Sequence, residues 1–120
     1  MSNDPVLNTL FLPLEEGVID WPANGPALFL RARTGDALDD LSRDKLVCEQ
    51  SFKPAHDALI RAGFRMREGH ASAELTLVLP PRQREESRAL LARAIRETIE
   101  GGIVMAAVSN TEGAKTIEGD

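Results

Sequence analysis

The chain has 120 residues, 42% of them hydrophobic and 28% charged, with a formal net charge of −5. A single domain of this size buries a proper core, and its acidic balance excludes bulk attraction to a phosphate backbone. Four Phe, one Trp and no Tyr argue against a base-stacking platform, while one cysteine, Cys48, excludes an internal disulfide and suits a reducing cytoplasm.

The charge is uneven. Residues 1–57 hold ten acids against five bases, and residues 58–120 hold nine of each. Any RNA contact must therefore be local or supplied by a partner domain. The opening MSNDPVLN is polar and acidic, unlike a secretory leader. No apolar run approaches the roughly 20 residues that a membrane span requires.

Residues 1–8 read as a loose terminus. Two short apolar runs, 10–14 and 18–21, flank Glu15-Glu16-Gly17, so residues 1–24 read as a hairpin or an arm that covers a sheet. The first strand is 27–30 (ALFL), entered from the turn signal Asn24-Gly25-Pro26. The loop 31–35 leads to a short helix around 36–41, with Asp36 in its first turn. A second strand follows at 45–49 (KLVCE). Pro54 opens a helix over 55–62 and Gly63 closes it. Phe64 and Met66 alternate with Arg65 and Arg67, the pattern of a half-buried third strand.

Residues 73–110 read as one complete βαβ crossover. The apolar run Leu75, Leu77, Val78, Leu79 stops at Pro80-Pro81, which cannot continue a ladder. In the next helix Leu90/Leu91, Ala94/Ile95 and Thr98/Ile99 recur every four residues, giving one apolar face. Gly101-Gly102 is expected to end that helix. Residues 103–108 then read as a strand buried on both faces, as parallel strands are. The element order β-α-β-α-β-loop-β-α-β predicts an α/β fold: an open, mostly parallel, Rossmann-like sheet over residues 25–120, strand order 3-2-1-4-5. Residues 109–120 start as another helix would and then stop. The fifth strand thus lacks a covering helix, which predicts a C-terminally truncated fold or a second molecule on the bare face.

In such sheets ligands sit beyond the carboxyl ends of the strands. A nucleotide or S-adenosylmethionine fold keeps several glycines in the loop after the first strand. Here that loop is Arg31-Ala32-Arg33-Thr34-Gly35-Asp36, with one glycine, and its arginines would crowd a cofactor. Glu49 stands where an acid would bind ribose hydroxyls; a solvated strand-end carboxylate is the plainer reading. In amino-methyltransferases the turn after the fourth strand carries Asn/Asp-Pro-Pro-aromatic. Here Leu79 and Arg82 replace the polar and aromatic members, so the turn reads as structural.

Arg82, Arg84, Arg88, Arg93 and Arg96 give the crossover local positive charge, partly offset by Glu85, Glu86 and Glu97. Arg84/Arg88 is a like-charge pair four residues apart, mildly unfavourable unless an anion is near. A solvated helix face competes with an RNA or protein contact there. Asn110 can cap a following helix, and Lys115 offers an ammonium to phosphate or to a partner's carboxylate. His56 and His70 have no cysteine or carboxylate cluster at ligand spacing, so no metal site is expected.

LPLEEGVIDWP, ALFLRARTGDAL, LVLPPRQREESRALL and VSNTEGAK together resemble the N-terminal domain of bacterial 16S ribosomal RNA guanine-N2 methyltransferases, the small-subunit methyltransferase C group. The resemblance runs from about Leu10 to the end of the chain, and NTEGAK is its most specific piece. It implies a degenerate, non-catalytic member of a tandem pair. The C-terminal partner domain, not contained in these 120 residues, would bind S-adenosylmethionine and carry the Asn-Pro-Pro turn. The N-terminal domain would support folding and rRNA substrate binding in the cytoplasm, with contacts expected at Arg82, Arg84, Arg88, Asn110 and Lys115. Two other readings stay open. One is a small active methyltransferase binding S-adenosylmethionine between Thr34-Gly35 and Glu49. The other is a structural module whose homo-oligomer covers the bare sheet face.

Overall fold

A computed structural model describes residues 5–22, 26–35, 38, 45–68 and 72–107. Five strands, β1 (Ala27–Leu30), β2 (Leu46–Glu49), β3 (Arg65–Met66), β4 (Ala73–Val78) and β5 (Thr98–Ala106), form one sheet in the order β3-β2-β1-β4-β5. Every pairing is parallel. The expected architecture is therefore observed: an α/β, Rossmann-like open sheet. β1 lies in the middle, and its four residues are all buried, as a strand covered on both faces requires.

The pleat sends alternate residues to opposite faces. Ala27, Phe29, Leu46, Cys48, Leu75 and Leu77 meet helix α1 (Pro5–Glu15) and helix α2 (Lys53–Arg61) on one face. Leu28, Leu30, Val47 and Val78 meet helix α3 (Arg84–Arg96) on the other, through Leu90, Leu91 and Ala94.

From residue 5 the N-terminal segment is neither loose nor a hairpin. It is α1, with Leu7, Leu10 and Phe11 buried on one helical stripe and Leu14 packed beside them. Phe11 sets its ring edge-to-face on Phe29, with centroids 5.7 Å apart and planes at 86°. Pro13 is tolerated in the last turn because the helix is about to stop. Gly17 takes φ 76° just beyond it, and the Pro13 carbonyl accepts from both Val18 and Ile19.

α2 starts with Pro54 in its first turn and ends as its sequence requires. Gly63 adopts φ 90°, its N–H bonds the Ile60 carbonyl and the Phe64 N–H bonds that of Leu59. Leu59 and Phe64 share the core, so closure and packing coincide. The helix expected around residues 36–41 lies outside the described residues, apart from buried Leu38.

α3 differs from expectation at its far end. Gln83 caps its start, accepting from the Glu86 N–H at 2.6 Å, and Glu85 and Glu86 occupy the first turn. The helix ends at Arg96, and β5 begins at Thr98, before Gly101-Gly102. The cause is local. Glu97 gives its carbonyl to Ala73, and Thr98 places its hydroxyl between the Ala94 carbonyl and Thr76. The glycines instead form a bulge within β5: pairing passes from Ala73↔Thr98 to Leu75↔Ile103, with Gly101 at φ 83°. Nor is β5 buried on both faces, since Ile99 and Ile103 are 43% and 42% exposed. Ile95 also leaves the expected apolar face of α3 and is exposed.

Candidate functional site

β1 and β4 are neighbours whose chains leave the sheet for opposite faces, so the topological switch point lies at their carboxyl ends. Arg31 sits there. Among the described residues it is the one non-glycine with positive φ, 55°. This left-handed turn sends its side chain across the gap, where Nη1 donates to the Leu79 carbonyl at 2.9 Å. The next loop residues are sewn to β2. The Ala32 N–H donates to the Glu49 carbonyl at 3.1 Å, and Gln50 Nε2 returns a bond to the Ala32 carbonyl at 2.7 Å. Gly35 is buried, and its carbonyl accepts from the Leu38 N–H.

A second feature lies at the ends of β2 and β3. An open cleft of about 240 Å³ is lined by Cys48, Glu49, Gln50, His56, Met66 and Arg67. Its charged wall belongs to a four-residue ion network. Arg93 of α3 grips both oxygens of Glu49, and Arg67 Nη1 donates to Glu49 Oε1 at 3.2 Å. Arg67 also pairs with Glu97, while Arg93 Nε lies 3.3 Å from Glu97 Oε2. Glu97 and Arg67 side chains are only 8% and 12% exposed. The Glu97 hydrogen bond does most to hold the Arg67 guanidinium above its ordinary pKa, and that of Glu49 does the same for Arg93. Two acids and two bases balance, so the network ties α3, β2 and β3 together without net charge.

The Arg31 side chain crosses the crevice, and both Glu49 oxygens are committed to arginine rather than open to a ribose diol. Among the described residues no group of three His, Cys, Asp or Glu side chains is placed to hold a metal ion. None of their helices is long and apolar enough to cross a membrane.

No family model, curated protein or solved structure matches this chain.

The residues expected to touch RNA or a partner divide. Arg82, Arg84 and Arg88 are exposed around the start of α3, beyond the carboxyl end of β4. Asn110 and Lys115 lie outside the described residues. Gly35 does not line the cleft that Glu49 lines: the Glu49 backbone meets Ala32, and its side chain belongs to the ion network. Glu49 is thus no solvated strand-end carboxylate. Arg93, expected on a wet face, is drawn inward by the same contacts. The missed partners, Arg67 and Glu97, are far from Glu49 in sequence; their only local signal is the four-residue spacing of Arg93 and Glu97.

Proposed function

We propose that this chain is a non-catalytic, methyltransferase-like domain. It supports folding and RNA substrate binding in an S-adenosylmethionine-dependent rRNA guanine-N2 methyltransferase of the cytoplasm. A C-terminal partner domain would supply the methyl donor site and the chemistry. The sequence likeness supplies the family, and the sheet order is compatible with it. The observation that carries the non-catalytic part is the Arg31 side chain lying across the switch point onto the Leu79 carbonyl. A cofactor loop needs bare backbone at that place, and here a bulky cation stands in it.

Calorimetric titration of the 120-residue chain with S-adenosylmethionine tests this reading. No saturable heat is expected. Clear binding would favour the small active methyltransferase instead, with the donor between Gly35 and Glu49.

Exposed Ile103, on the face of β5 opposite α3, favours one second reading, a structural homo-oligomer that covers the bare face of the fifth strand. A monomer by light scattering counts against it.

A further inference from the structure

The guanidinium groups of Arg31, Arg67 and Arg93 differ in what holds them. Arg67 and Arg93 are each neutralised by Glu49 and Glu97. Arg31 is held by a neutral backbone carbonyl, that of Leu79. No carboxylate among the described residues pairs with Arg31. A fixed guanidinium on a neutral acceptor keeps its full positive charge and four of its five N–H donors. Holding it in advance removes much of the ordering cost that a mobile arginine pays when it meets an anion. Arg82 follows Leu79 by three residues on the same carboxyl edge, and its side chain is exposed. Two cations from the turns after β1 and β4 thus stand beyond the switch point, where open α/β sheets bind ligands.

We infer that the carboxyl edge between β1 and β4 is a phosphate-binding subsite, with Arg31 as its preset fork and Arg82 as its second cation. The geometry that is wrong for a cationic sulfonium donor is right for a phosphate oxygen pair, which a guanidinium meets with two parallel N–H bonds. Resting on the reading under Proposed function, the source of that phosphate is an RNA backbone. A local subsite of this kind also meets the electrostatic difficulty of a chain with net charge −5, because one preset fork needs no basic surface around it.

The test uses the full chain and two probes. In the first arm, inorganic phosphate is titrated against the protein while the arginine Nε–H signals are followed by NMR. Chloride at matched ionic strength is the control. Saturable movement of the Arg31 signal by phosphate and not by chloride is expected. In the second arm, a fluorescein-labelled 12-nucleotide single-stranded RNA is titrated by anisotropy at several salt concentrations, with wild type, Arg31→Gly and Arg31→Lys. Glycine accepts the positive φ without strain, so the backbone turn survives while the cation is removed. Arg31→Gly should weaken RNA binding about tenfold and flatten the salt slope by about 0.7, the value for one single-strand phosphate contact. Arg31→Lys should keep the slope and lose part of the affinity, having the charge without the fork. Phosphate that moves Arg31 while wild type ignores RNA upholds the subsite and overturns the RNA reading. RNA binding with an unchanged slope in Arg31→Gly, and no response of Arg31 to phosphate, overturns the subsite and leaves the RNA reading standing. Failure of both arms overturns both.

Discussion

Arg93 reaches from α3 to the end of β2 and takes both carboxylate oxygens of Glu49, a residue 44 positions away in sequence. This contact fixes α3, the one helix on its face of the sheet among the described residues, to the strands on the far side of β1. Arg67 extends it to Glu97 at the foot of α3. The four side chains differ in exposure, and exposure decides what each is worth. Glu97 and Arg67 are nearly enclosed, whereas Glu49 and Arg93 are 27% and 36% exposed and feel solvent screening.

Glu97→Gln should therefore cost about 2–4 kcal/mol of stability, because it leaves buried arginine charge with one carboxylate fewer. Glu49→Gln should cost less, about 1–2 kcal/mol, once its screening is allowed for. A double-mutant cycle of Glu49→Gln with Arg93→Gln should return a coupling of about 0.5–1.5 kcal/mol. Urea midpoints at constant slope measure all of these. An Glu49→Gln loss as large as that of Glu97→Gln would mean that burial does not rank these pairs.

The glycine pair of β5 should split in the same kind of experiment. A Cβ on Gly102 would stand 2.6 Å from Thr98 Cγ2, 2.8 Å from the Glu74 carbonyl oxygen and 3.0 Å from that of Ile99. Two of those neighbours are backbone and cannot turn aside. Gly101 has open space around its Cα, but its φ of 83° resists any other residue. Gly101→Ala should cost about 1 kcal/mol through the backbone alone. Gly102→Ala should cost more, about 2–3 kcal/mol, and should disturb the Thr76–Thr98 hydroxyl contact as Thr98 moves. Thermal unfolding of the two variants side by side decides the order; equal losses would place the bulge elsewhere.

The same glycines show where local reading ran out. Sequence patterning located β1, α2 and β4 because each carries its own boundary: Pro26 before β1, Pro54 and Gly63 around α2, Pro80-Pro81 after β4. The end of α3 has no such mark. Thr98 and Ile99 fit its four-residue repeat, and the Gly-Gly pair looks like a stop. What ends the helix is tertiary: Ala73 takes the Glu97 carbonyl, and Thr76 takes the Thr98 hydroxyl. α1 was obscured for the opposite reason. Its stripe of Leu7, Leu10, Phe11 and Leu14 was present, but it was divided between a terminus taken as loose up to residue 8 and a separate apolar run at 10–14, while Pro13 falls in the last turn and costs little there. The single glycine and the two arginines of the loop after β1 were visible in the sequence. That Arg31 crosses to Leu79 was not, since a contact over 48 residues leaves no mark in spacing.

Cys48 gives a prediction with a clear sign. It is fully buried in β2 although its residue helps to form the wall of the cleft. Burial disfavours the thiolate and pushes the thiol up from 9.0 to about 12. At pH 8 the folded protein should then hold roughly a thousandfold less thiolate than the unfolded chain. Ellman's reagent should be consumed slowly in buffer and promptly in guanidinium. The linkage runs the same way. Below the unfolded value near 9, both states keep the proton and stability is unaffected. Between pH 9 and about 12 the unfolded chain ionises first, so Cys48 contributes a progressive loss of stability as pH rises through that window. Cys48→Ala removes the thiol and should flatten that part of the alkaline unfolding curve, at the expense of a small cavity. Rapid labelling of the folded protein at pH 8 would show instead that the sulfur reaches solvent through the cleft.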